Sequence, residues 1–207
     1  MTLFKRITTQ TMLLIALFAT FTAQASAMTG PEEVVRTTVD SMVENLRVNR
    51  ELYENDNQAL YKMLDETLLP ALHVQRMADL ILGKKMSQKA TQAQKVEFVE
   101  EFKTLLLQTY ATGLLNATGE EKVVYEPVSL APGADKVKIK AKLVTAAGDE
   151  FPITLSMSNR RDTRWRAYNL DVAGIDFIRT YRSTFKQTLV EKGIDGLIAE
   201  LRSKNAR

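Results

Sequence analysis

Four arginines, Arg160, Arg161, Arg164 and Arg166, crowd a predicted hairpin turn and the strand after it. A guanidinium is planar and suits two-pronged contact with phosphate or carboxylate, so the cluster is a candidate for a phosphate group or an acidic partner surface. The plainer reading is a solvated turn that protects a sheet edge. Lys84 and Lys85, directly after Gly83, carry the same pair of readings. For catalysis the best constellation is Tyr168 with Asp171 and Asp176, where an apolar pocket would raise a carboxylate pKa and create a general acid or base. Tyr168 and Asp171 are three apart on a strand, however, and so point to opposite faces. The spacing favours solvated loop acids. His73, the one histidine, stands between Leu72 and Val74, a setting more often structural than catalytic. With no cysteine there is no disulfide, thiol nucleophile or thiolate metal site, and one histidine excludes a multi-His site. No nucleophile elbow, P-loop, dinucleotide fingerprint or H-E-x-x-H occurs. No catalytic residue, metal or cofactor is therefore assigned.

The N-terminus explains most of the net charge. Lys5 and Arg6 precede the apolar run Met12–Phe21, and Ala23-Gln24-Ala25-Ser26-Ala27 follows. This is the pattern of a secretory signal over residues 1–27, with cleavage after Ala25 or Ala27. The run is shorter than the roughly 20 residues of a membrane-spanning helix. The chain has 28 Lys plus Arg against 25 Asp plus Glu, a net +3; without the two basic residues of the signal, 26 stand against 25, a net +1. That balance does not support a nucleic-acid binder. The expectation is an exported, disulfide-free single domain over residues 28–207, in the periplasm of a double-membrane bacterium.

The elements that must position these side chains follow from periodicity. Val34, Val35, Val39, Met42, Val43 and Leu46 share one face of a helix from Pro31 to about Arg50. A short helix is predicted over Asn57–Leu64, capped from Asn55, Asp56 or Asn57, and another over His73–Leu82, ended by Gly83. The longest predicted helix, Thr91–Ala117, carries Phe98, Phe102, Leu105, Leu106 and Tyr110 on its apolar face. After Gly119 the period falls to two. Runs at Lys122–Val128, Val137–Leu143, Phe151–Met157 and Arg164–Val172 predict a four-stranded antiparallel meander, with Pro152 near a strand start or on an edge. Gly174 ends the sheet, and two helices follow, divided at Gly193, the second capped by Asp195. The fold class is α+β: a four-stranded meander packed against about six helices.

Apolar faces from helices and sheet converge on one interior. They either fill a core or line an apolar pocket, and periodicity does not separate the two. The expected sheet wall is Val137, Ile139, Ile153, Leu155, Met157, Tyr168 and Leu170. The expected helical wall is Met77, Ile81, Phe98, Phe102, Leu105, Tyr110, Ile178 and Tyr181.

The segments Trp165-Arg166-Ala167-Tyr168-Asn169, Val172-Ala173-Gly174-Ile175 and Tyr181-Arg182-Ser183-Thr184-Phe185 resemble the MlaC family, also called toluene-tolerance or periplasmic phospholipid-binding proteins. Gly193-Ile194-Asp195-Gly196-Leu197-Ile198 with Leu201 resembles that family's closing helix. Leu82-Gly83, Phe98-x-x-x-Phe102-x-x-Leu105-Leu106 and Thr109-Tyr110-Ala111 are similar to its central helices. The resemblance spans roughly residues 31–203 in order. Lys84-Lys85-Met86 departs from a usual aromatic, Asn169 from a usual acid, and Asp176 from a small hydroxyl residue.

The resemblance implies a monomeric, non-enzymatic carrier whose only ligand is a phospholipid held as cargo, its acyl chains between sheet and helices. It implies shuttling between an outer-membrane lipoprotein–porin complex and an inner-membrane ABC transporter bearing MCE domains, which maintains outer-membrane lipid asymmetry. On that reading Arg160, Arg161, Arg164, Arg166, Lys84 and Lys85 are the headgroup or partner contacts. Two other classes stand beside it: a small enzyme using Asp171 or Asp176 on an apolar substrate, and a periplasmic chaperone or adaptor.

Overall fold

The structure, a computed structural model, describes residues 30–115, 121–160 and 163–206. The predicted signal segment and Arg161 lie outside the described residues, as does the end of the predicted Thr91–Ala117 helix beyond Leu115.

Helix α1 runs Pro31–Val48, with Pro31 at its first turn and Glu32 and Glu33 against its positive end. The helix predicted to reach Arg50 stops at Asn49, whose backbone leaves the helical region, and a separate α2 spans Arg50–Asn55. Helix α3 spans Asn57–Thr67. The Asp56 carboxylate accepts from the Gln58 and Ala59 amides (2.9 and 3.1 Å), as the capping residues predicted. A 3-10 turn at Leu69–Ala71 absorbs Pro70 and leads into α4, Val74–Lys89. At Gly83 the backbone leaves the helical region (φ +72°, ψ 161°), so the helix predicted to end there does so, and a second helical segment of the same element follows to Lys89. Helix α5 covers Gln92–Leu115.

The sheet has five strands, one more than expected, in the order β1 (Lys122–Tyr125), β2 (Lys136–Val144), β3 (Glu150–Ser158), β4 (Arg166–Val172), β5 (Ile175–Asp176), each neighbouring pair antiparallel. The extra strand comes from a two-residue turn. Ala173 (φ 51°) and Gly174 (φ 83°) both adopt left-handed backbone, which folds Ile175 back onto Val172 and Asp176 onto Asp171. Ala173 is a rare residue for such a turn, so the hairpin is inconspicuous in the sequence. Pro152 is the third residue of β3. Its carbonyl accepts from Ala173, beyond the last β4 partner, so its missing N–H falls where β3 is locally an edge.

The last two predicted helices are present as α6 (Phe177–Asn205), two helical segments divided at Gly193, whose backbone is non-helical (φ 69°, ψ −167°). The Asp195 carboxylate, expected as a cap, instead accepts from Gln94 Nε2 of α5 at 2.7 Å.

Three apolar clusters hold these elements. The largest joins α4, α5 and α6 around Phe98, Phe102, Tyr181 and Phe185. The rings of Phe98 and Phe102 stack at 5.7 Å, and Tyr181 and Phe185 meet Phe102 edge-on at 5.0 and 6.1 Å. A second joins α2, α3 and α5 around Tyr53, Leu60 and Leu64. The third ties α1 to the sheet through Val35, Ile139, Met157, Trp165 and Ala167. A domain of this size more often has one continuous core. Among the described residues α5 packs chiefly on α2, α3, α4 and α6, and no strand is among its main neighbours.

Candidate functional site

Strand register places Val137 opposite Met157, Ile139 opposite Leu155, Ala141 opposite Ile153 and Leu143 opposite Phe151. On the next pair Leu155 faces Leu170 and Ile153 faces Val172. These side chains share one face of the sheet because alternate residues point the same way. Along β3 that face changes steadily. Met157 is fully buried, Leu155 and Ile153 are half-buried, and Phe151 is 40% exposed. At the Ser158 end, Trp165, Met157, Ile139 and Val35 form a closed plug. At the end carrying the Val144–Glu150 turn, apolar side chains remain accessible. On β3 the inner face thus runs from buried at the Ser158 end to accessible at the Glu150 end, while on β2 Ile139 and Ala141 are buried and Val137 and Leu143 half-buried.

The helical side contributes unequally. Leu105 and Ile178 are half-buried and pack at the margin of the helical cluster. Tyr110 is 48% exposed, and its hydroxyl lies 3.2 Å from that of Tyr181. Burial, and after it the hydrogen bond to Tyr110, pushes the Tyr181 phenol well above its ordinary pKa. Ile81, Phe98 and Phe102 have no accessible surface, and Met77 is also buried. Ile81, Phe98 and Phe102 belong to the helical core cluster. On the same sheet face Ile139 and Met157 are fully buried, whereas their neighbours Val137, Ile153, Leu155 and Leu170 are half-buried.

Tyr168 has a different setting. A bulge beside Ser156/Met157 makes Ala167, not Tyr168, the partner of Met157. The Tyr168 ring instead lies under the Arg76 guanidinium of α4, 3.7 Å from its centroid.

Arg76 opens onto a polar cleft of about 560 Å³ at the Ser158 end of the sheet, where Lys84 and Arg160 meet it and Arg182. Lys85 is exposed beyond its rim, and Arg164 and Arg166 follow the turn without lining it. The cleft thus gathers two of the predicted cations from distant parts of the chain. Sequence reading missed Arg76, a lone basic residue in the first turn of α4, and Arg182, which shares an exposed face of α6 with Arg179 and Lys186. It also missed Trp165 as the plug, although its position before the buried strand β4 was the available signal.

The acids proposed for catalysis have local backbone partners. Asp176 Oδ1 accepts from the Arg179 amide at 2.7 Å and caps α6, while its Oδ2 accepts from Asn169 Nδ2 at 2.7 Å. Asp171 Oδ1 accepts from the Gly174 amide at 3.0 Å and braces the β4–β5 turn. The His73 amide donates to the Ala167 carbonyl (2.8 Å), and its own carbonyl accepts from Met77 at the start of α4. Among the described residues no group of three or more His, Asp or Glu side chains is placed to hold a metal. No described helix is long and apolar enough to cross a membrane.

A family model described as MlaC protein matches residues 36–203. The chain belongs to the MlaC family. It is 27% identical to the toluene tolerance protein Ttg2D of Pseudomonas putida over 194 residues, covering 91% of this chain and 89% of that protein. Its fold matches that of a phospholipid-binding protein from Ralstonia solanacearum, solved in complex with a phospholipid, with a TM-score of 0.77. That match covers 85% of this chain and 97% of the other at 22% identity, and at that identity it concerns the fold. The α+β MlaC architecture expected from the sequence is the one observed.

Proposed function

We propose that this MlaC-family protein is a phospholipid carrier that shelters acyl chains against the inner face of its sheet. The observation that carries the reading is the exposure gradient along β3, from buried Met157 through Leu155 and Ile153 to exposed Phe151. Apolar side chains left accessible are unfavourably exposed to water unless something apolar covers them. Hydrocarbon is the matching occupant. Each buried CH₂ contributes about 0.8 kcal/mol, so two long chains place a free lipid tens of kcal/mol above its membrane state. Carriage across water therefore requires such an enclosure. The Ralstonia neighbour was solved holding a phospholipid, which supports the same class of ligand here.

In this reading the chain tails point toward the Trp165 plug and the headgroup stays at the open end, where water solvates its charge. Residues 1–27 export the protein to the periplasm, and residues 28–207 form the working domain. The carrier moves lipid between an outer-membrane lipoprotein–porin complex and an inner-membrane ABC transporter with MCE domains. Enclosing a lipid uses no catalytic group, and Asp171 and Asp176 are engaged in backbone support.

The test is native mass spectrometry of the gently purified mature protein, followed by lipid extraction. The expected result is a protein peak shifted by the mass of whole phospholipids. Absence of bound lipid, even after incubation with phospholipid vesicles, would overturn the proposal. A chaperone or adaptor would behave in that second way.

A further inference from the structure

A polar cleft lies between α4, residues 158–160 at the end of β3, and α6. Four cationic side chains line it, Arg76, Lys84, Arg160 and Arg182, against one acid, Asp79. Asp79 is already engaged, accepting from Ser87 Oγ at 2.6 Å and lying 3.5 Å from Lys95 Nζ. Arg160 is steered by Asp135 at 2.6 Å. Arg76 and Arg182 have no carboxylate partner among the described residues, and each is held by a neutral surface instead. The Tyr168 ring supports Arg76. Gly83 supports Arg182: a Cβ there would meet Arg182 Nη2 at 3.1 Å, and the φ of +72° also favours glycine.

Two guanidiniums are thus pre-positioned in one cleft with their charge uncompensated. Holding two cations near each other without an anion is unfavourable, and a bound anion relieves it. A tetrahedral oxyanion offers acceptors to both planar forks at once. The cleft volume suits a small ligand.

We propose that this cleft is a phosphate-binding site, recognising a phosphate or phosphoester group through Arg76 and Arg182, with Lys84 and Arg160 adding charge at the rim. The nine residues of β3 separate it from the open end of the apolar face by about 26 Å, at ~3.3 Å per residue. The phosphate of a lipid whose chains enter at that open end does not reach it, so the expected occupant is a phosphate other than that of the carried lipid. The site stands apart from the lipid reading, since phosphate binding and lipid occupancy are measured separately.

The experiment is calorimetric titration of the mature protein with inorganic phosphate at low ionic strength. Saturable binding is expected, weakened when salt is raised to about 0.15 M. R76Q/R182Q should weaken it roughly tenfold or more, as should R182Q alone in part, with an unchanged far-UV spectrum. K62Q, on the exposed face of α3, should bind as wild type. The titration is repeated on protein preloaded from vesicles of phosphatidylethanolamine and phosphatidylglycerol. Undiminished phosphate binding identifies a site for free phosphate or phosphoester. Loss of binding on loading would mean that a lipid headgroup fills the same cleft, and would overturn its assignment to a phosphate other than that of the carried lipid. Absence of saturable binding, or binding that R76Q/R182Q and R182Q leave unchanged, overturns the proposal.

Discussion

Leu155→Trp separates a pocket wall from a packed core. Leu155 lies mid-sheet between Ile139 and Leu170 and is half-buried, between the closed plug and the open end. Tryptophan adds about six heavy atoms. If the space above Leu155 is where acyl chains lie, the indole displaces about four methylenes. At about 0.8 kcal/mol each this removes about 3 kcal/mol of lipid binding, on the order of a hundredfold in affinity. The fold should tolerate the change, because the ring enters existing space and does not force neighbours apart. If Leu155 were close-packed, the same substitution would overpack the core at about 1–3 kcal/mol and lower the melting midpoint by roughly 2–4 °C per kcal/mol. The assay pairs native mass spectrometry of lipid occupancy after vesicle incubation with thermal unfolding of lipid-free protein. The expected outcome is loss of lipid with an unchanged midpoint. Full lipid occupancy in the variant, or a midpoint collapse without change in occupancy, would refute the placement of Leu155 in the wall.

Three further outcomes follow from named contacts. Phe102→Ala removes a fully buried ring that touches Phe98, Phe177, Tyr181 and Phe185, and should cost about 3–5 kcal/mol in chemical denaturation. Asp176→Ala removes the α6 cap and should cost about 1 kcal/mol while leaving lipid occupancy unchanged; loss of a lipid-directed activity with stability intact would instead favour the enzyme reading. The Tyr181 phenol is held protonated above its ordinary pKa, so the folded state binds more protons than the unfolded state once pH exceeds about 10. Its stabilising contribution is complete below that pH and declines as pH rises further. Unfolding free energies measured from pH 9 to 11 should therefore fall more steeply for wild type than for Tyr181→Phe, and parallel slopes would contradict the assignment.

Much of the fold is legible locally. The alternation Val137-Lys138-Ile139-Lys140-Ala141 marks β2 because a strand buried on one side must alternate. The helical faces of Phe98, Phe102 and Leu105, or Ile178, Tyr181 and Phe185, are equally plain. The failures are also local. The Ala173-Gly174 hairpin lacks the usual Asn or Asp and hides β5. The glycine breaks, by contrast, are legible: at Gly83 and Gly193 the backbone leaves the helical region and two helical segments meet.

The site divides differently. Sequence determined which side chains are apolar and which face of each element they occupy, since both follow from composition and the period of one chain segment. It also determined that no thiol or multi-histidine chemistry is available, since the chain has no cysteine and a single histidine. Tertiary structure alone decided which of those apolar residues have neighbours on every side and which are left accessible. Phe102 and Leu155 look alike in a periodic pattern, yet one is enclosed by four rings and the other stands half-open on the sheet. The same holds for charge. The conspicuous arginine run contributes Arg160 to the cleft, whereas the inconspicuous Arg76 and Arg182 hold uncompensated charge inside it. Burial and electrostatic pairing depend on residues far apart in sequence, and only the folded chain brings those together.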